Sequence, residues 1–145
     1  MLKIACASFL LFLLLGCTQQ PNFTKITFEG SSLQLSAQIA NTSASRQRGL
    51  MFQNSLAQNG AMLFEYQEEQ PLHFWMANTK IPLDIIFLGK NKKIIGIQQM
   101  QPCEKEDTSL CQIYNSKAPA KYAIELNQNL SQKYGLKIGQ AAEWN

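Results

Sequence analysis

Pro71-Leu72-His73-Phe74-Trp75-Met76-Ala77-Asn78-Thr79-Lys80-Ile81-Pro82-Leu83-Asp84-Ile85-Ile86-Phe87 is the stretch around which this 145-residue chain is organised. Large apolar side chains crowd both ends of it. A polar pair, Asn78-Thr79, stands in the middle, with one acid, Asp84, behind it. Pro82 fixes its own φ and has no N–H, so the backbone must turn or follow a sheet edge there. The pattern predicts a strand over His73–Ala77, a turn, and a second strand over Leu83–Leu88, with aromatics aimed into a core. Trp75 and Met76 face opposite sides of the first strand because side chains alternate. Met76 is the easier of the two to bury. Trp75 then either stands at a cleft beside the Asn78-Thr79 turn or anchors the core.

Upstream, Asn22 to Glu29 and Leu33 to Ile39 carry period-2 alternation and predict a hairpin across Gly30-Ser31-Ser32. Asn41-Thr42-Ser43 supplies helix-capping residues before a short helix over Ala44–Arg48, with Gln47 completing a capping box and Gly49 ending the helix. Gln53 to Gly60 reads as a connecting turn and Ala61–Phe64 as a brief buried strand. Downstream, Gly89 to Lys92 makes a hairpin loop into a β-branched strand over Lys93–Gln99. Tyr122–Leu126 is a further strand, Asn127–Tyr134 a second short helix, and Ala141–Trp144 a last edge strand. The sum is one α+β, mostly β domain of short antiparallel strands with one or two short helices, folded as a sheet or half-closed barrel. The length is that of a single domain, large enough for one real core.

Lys3 forms a minimal positive n-region, and Ile4–Leu15 is an apolar run too short to cross a bilayer but suited to a secretion signal. It ends in Leu14-Leu15-Gly16-Cys17, which resembles a bacterial lipobox. The expected organisation is a lipoprotein signal peptide over 1–16, a tether over 17–22 and a domain over 23–145. Acyl chains such as palmitate on Cys17 would anchor the protein, because two or more chains hold stably where one does not. The five tether residues after the cysteine reach about 20 Å at most. Thr18 rather than an aspartate follows the cysteine. By likeness to sorted lipoproteins, the protein is expected on the periplasmic side of the outer membrane in a cell with two membranes.

An exported domain makes Cys103 and Cys111 an expected disulfide, closing a short polar loop. The net charge of +3 is weak and dispersed, with no basic stripe interleaved with aromatics, so no nucleic-acid partner is expected. The expected partners are the membrane, through the lipid, and an envelope glycan or small molecule. No motif calls for a cofactor.

Several stretches taken in order resemble one family. Arg48-Gly49-Leu50-Met51 is similar to its R-G-L-M element, and Gly60-Ala61-Met62-Leu63-Phe64 to its G-M-L-F element with an alanine inserted or substituted. Phe74-Trp75-Met76-x-Asn78-Thr79-x-Ile81-Pro82-Leu83-Asp84-x-x-Phe87 resembles its long signature. Ile124-Glu125-Leu126 and Ile138-Gly139-Gln140 resemble its C-terminal elements, with Gln140 where an acid is usual. The family is DUF192 (UPF0127), matched over about residues 23–145. The resemblance implies a compact, largely β, often exported fold, and names no reaction.

Three chemistries compete for the polar residues. Asp84 and Glu125 are the candidates for an acid/base pair acting on glycan or peptidoglycan. The alternative is that Asp84 braces the turn after Asn78-Thr79 while Glu125 faces solvent. Met51, Met62, Met76 and Met100 with His73 offer soft ligands for Cu(I), against the plainer role of core filler. Arg48 either bridges to Asp84 or Glu125, or stays open to grip a carboxylate or phosphate. The reading that follows is a membrane-tethered accessory or ligand-binding domain. Its candidate cleft is Arg48, Trp75, Asn78, Thr79 and Asp84, with no catalytic residue or metal assigned.

Overall fold

The computed structural model describes residues 22–145. The proposed signal peptide, Cys17 and the tether up to residue 21 lie outside the described residues. No helix among the described residues is long and apolar enough to cross a membrane.

The chain runs β1 (Phe23–Phe28), β2 (Gln34–Ala40), α1 (Ser43–Arg48), β3 (Gly60–Gln70), β4 (His73–Trp75), β5 (Leu83–Leu88) and β6 (Ile94–Met100), then β7 (Ile113–Asn115), β8 (Ala120–Asn127), α2 (Leu130–Lys133) and β9 (Ala142–Glu143). Seven strands form one curled sheet in the order β6-β5-β8-β3-β2-β1-β9, and β4 pairs with β7 as a separate ribbon. The fold is mostly β with two short helices, a half-barrel in a single domain. β1 and β2 make the expected hairpin. β2 and β3 are parallel, a departure from the all-antiparallel expectation. Parallel neighbours need a crossover rather than a tight turn, and α1 with the loop after it supplies one.

β5 is buried at every position. Coverage on both faces is what a near-continuous apolar run in a central strand reflects. Its odd and even residues separate two cores. Ile86 and Leu88 join Ile26, Leu35, Leu63, Ile124 and others inside the curl. Leu83, Ile85 and Phe87 join Met62, Phe64, Phe74, Met76 and Met100 in an outer core between the sheet and the β4–β7 ribbon. Phe74 stitches the ribbon to the sheet, edge-on to Phe64 at 4.9 Å and to Phe87 at 5.8 Å between centroids. Offset and edge-on ring pairs add modestly to the burial of their surface.

Residues at the chain's C-terminal end close the curl at one end. Ala142 pairs with Phe28 of β1. In the same segment the Ile94 N–H donates to the Gln140 carbonyl at 2.9 Å, the Gly139 N–H to the Ile94 carbonyl at 2.8 Å, and the Ala142 N–H to the Lys92 carbonyl at 2.9 Å. Lys93 also bridges Ala141.

Local differences from the sequence reading have local causes. The capping box of α1 is Thr42 with Ser45, not Gln47, because Ser45 occupies the third helical position. β3 runs eleven residues, well beyond Phe64. The second helix shortens to Leu130–Lys133, preceded by Asn129 at φ 71°. Cys103 and Cys111 form a disulfide, Cα atoms 5.6 Å apart, with Cys103 packed against the outer core.

Candidate functional site

A cleft of about 340 Å³ opens between the outer face of the sheet, α1 with the turn after it, and β4. Each wall has an identifiable cause. Thr42 caps α1, and Arg46 then fastens it to the sheet: its Nη1 donates to the Asn41 carbonyl at 2.7 Å and the Glu65 carbonyl at 3.0 Å. The same guanidinium lies 4.8 Å above the Tyr66 ring. Gly49, at φ 47°, turns the chain so that Leu50 enters the outer core. The Phe52 N–H then donates to the Asn78 carbonyl at 2.8 Å, tying this turn to the one after β4. Asn78 holds φ 56°, a left-handed conformation that asparagine tolerates better than most residues.

Glu125 forms part of the floor. On β8 it stands opposite Ile85 of β5 on one side and Met62 of β3 on the other. It is 5% exposed. Burial alone pushes its carboxyl up to about 8, because neither a charge nor a hydrogen bond offsets the loss of water. Tyr66, two residues along β3 from Phe64, lines the same cleft. Its phenol is raised chiefly by burial, with the Arg46 charge lowering it and Glu125 raising it.

The predicted site residues divide. Arg48, Trp75 and Thr79 line the cleft. Trp75 is 41% exposed, paired across the ribbon with Ile113, while Met76 beside it is 1% exposed. Asn78 acts through its backbone, as above. Asp84 leaves the cleft altogether. It stands opposite Leu126 on the inner face, and its carboxylate accepts from Asn129 N–H at 3.1 Å, Ser131 N–H at 2.9 Å and Ser131 Oγ–H at 2.5 Å. Its brace is therefore at the start of α2 rather than at the Asn78-Thr79 turn.

That placement removes the acid/base pair. Asp84 and Glu125 leave opposite faces of one sheet, so no glycosidic bond can lie between them. Nor does Glu125 face solvent, because the ribbon covers that side of β8. The expected bridge from Arg48 to Asp84 or Glu125 is absent too: no salt bridge forms among the described residues. Of the proposed copper ligands, Met62, Met76 and Met100 are buried in the outer core, and only Met51 and His73 line the cleft. Arg46 and Tyr66 carried no sequence motif. The alternation Met62-Phe64-Tyr66 would have found Tyr66 had β3 been extended.

A family model, DUF192, described as an uncharacterised ACR (COG1430), matches residues 24–144. The chain belongs to the DUF192 family. No curated protein matches it. Two crystal structures resemble this DUF192 domain closely. One is a protein of Sinorhizobium meliloti 1021 described as a candidate transcription regulator, 27% identical, with a TM-score of 0.77 over 87% of this chain and 96% of that one. The other, of unknown function, is from Novosphingobium aromaticivorans DSM 12444, 28% identical, with a TM-score of 0.75 over 90% of this chain and 89% of that one. Because the family match covers all the walls of the cleft, the site belongs to the DUF192 domain itself and not to an appendage.

Proposed function

We propose that this DUF192 domain is a ligand-binding module, held at the cell-envelope membrane by lipid on Cys17, that takes a small molecule or a glycan unit in the cleft beside Trp75. The observation that carries the reading is Glu125, a 5% exposed acid with no side-chain hydrogen bond to another residue, at the floor of the same cleft as a half-exposed tryptophan. Drawing a carboxyl out of bulk water with no bonded cation costs stability, and such a cost is commonly met at sites that serve something other than stability. A flat apolar face with a few fixed polar groups is the usual make-up of a small-ligand site. Binding suits the geometry better than paired-carboxylate catalysis, since Glu125 has no second carboxylate with it in the cleft. The regulatory description of the Sinorhizobium protein is not carried over, because the net charge of +3 is weak and the sequence has no basic run interleaved with aromatics.

The test is Trp75→Ala, read by stability and by binding together. Its 41% exposure limits the loss of stability to about 2–3 kcal/mol, against about 3–5 kcal/mol for truncating a core tryptophan. Saturation-transfer NMR against a panel of envelope sugars and small organic acids should give hits on the parent that vanish in the variant. Unfolding of the variant, or hits that survive it, would count against the reading.

A further inference from the structure

The charged side chains lining the cleft are two arginines, Arg46 and Arg48, and one acid, Glu125. Arg48 is exposed and makes no salt bridge among the described residues. Arg46 has one nitrogen engaged by two carbonyls, yet keeps its charge beside Tyr66. Glu125, seated between Ile85 and Met62, has no cation bonded to it. The excess of arginine over acid in this lining favours a ligand that brings acceptor oxygens and a negative charge.

Building on the ligand-binding reading, we propose that the cleft takes a small ring-bearing carboxylate, its anionic group held by Arg48 with the Glu125 side chain as a neutral hydrogen-bond donor, and its ring against Trp75. A guanidinium and a carboxylate match in charge and in planar, two-point geometry. A carboxylic acid can donate to a second oxygen of the same group only while it keeps its proton. Burial among apolar neighbours holds that proton at neutral pH, and the carboxyl loses it near 8. A dianionic phosphate fits less well, since one of the two arginines is already committed to backbone carbonyls.

The proposal makes binding depend on pH in a stated direction. Ligand binding requires the protonated carboxyl, so affinity is steady below neutrality and falls as pH rises through about 8. The other charged and titratable groups lining the cleft with Glu125 are Arg46 and Arg48 from α1, Tyr66 from β3 and His73 from β4. The arginines keep their charge throughout. The Tyr66 phenol is raised by burial and so stays neutral across the same interval. His73 bonds through Nδ1 to Asn115 Oδ1 at 2.5 Å and is separated by substitution.

The experiment is calorimetric titration of the detergent-solubilised full-length protein with three pairs of probes: N-acetylmuramate and N-acetylglucosamine, glucuronate and glucose, benzoate and benzamide. At least one acid should bind tenfold or more tighter than its neutral counterpart at pH 7. Arg48→Gln should abolish that preference. Raising the pH from 7 to 9.5 should weaken the acid by about tenfold or more, and Glu125→Gln should flatten the profile because an amide does not titrate. His73→Gln should leave the slope above pH 8 in place. Equal binding of acid and neutral probes, still abolished by Trp75→Ala, overturns the carboxylate inference and leaves the ligand-binding reading standing. A slope that persists in Glu125→Gln also overturns it. Silence from the whole panel takes both.

Discussion

Replacing Glu125 by Gln should stabilise the domain, and by an amount that grows with pH. In the unfolded chain the glutamate ionises near 4.5, whereas in the folded domain it keeps its proton until about 8. Between those values the folded state holds the extra proton, so its stability falls as pH rises across the window. At about 1.36 kcal/mol per pH unit, ionising the unfolded chain first destabilises the parent by about 1 kcal/mol at pH 5, about 3 at pH 7 and about 5 at pH 9. Glutamine keeps the shape and does not titrate, so every other titrating group cancels in the difference between the two proteins. Urea denaturation at the three pH values measures it directly. With a slope of about 2 kcal/mol per molar urea, the gap between midpoints should widen by about 2 M from pH 5 to pH 9. A gap that changes by less than about 0.5 M over that range would mean that water or an unseen partner already serves the carboxyl, and the burial argument would be refuted.

Three further outcomes are expected. Asp84→Ala should destabilise by about 3–5 kcal/mol, since it strands two backbone N–H groups and a hydroxyl at the start of α2, while leaving ligand hits unchanged; a near-neutral urea midpoint would sink this. Replacing both Cys103 and Cys111 by serine should lower stability by about 2–3 kcal/mol with an unaltered circular dichroism spectrum, the loop being short. Cys17→Ser should move the protein from the membrane fraction to the soluble fraction, and unchanged fractionation would refute lipid anchoring.

Much of the architecture was legible because local pattern and final environment agree. The apolar run Leu83–Leu88 reads as a central strand and is one, and Met76 went to the core as alternation required. Glu125 was misjudged for the opposite reason. Its neighbours Ala123, Ile124 and Leu126 suggest a strand with one dry face, which leaves the acid outside. The second cover comes from residues 72–76 and 113–115, which no window around Glu125 contains. The three residues of β7 offered no periodicity beside the cysteine loop, so the partner that pairs with β4 to complete the ribbon behind the cleft was missed. Asp84 carries the same lesson: the acid lies in the signature, but its partners, Asn129 and Ser131, lie more than forty positions away.

The segment Gly139–Ala142 bonds simultaneously to β1 and to the Lys92–Ile94 corner, which are otherwise the two open margins of the sheet. Exposed margins present unpaired N–H and C=O groups that recruit other chains. Until residues 139–142 have been synthesised, both margins are bare along that end, and the first strand made must wait for the last. Loop closure over such a span is slow, and the waiting species is the one prone to aggregate. Gln140 sits at this junction, accepting from the Lys137 N–H and donating to the Glu29 carbonyl. An ionised carboxylate could accept but not donate, so the amide of Gln140 makes a latch across this seam that an ionised acid at the same position could not.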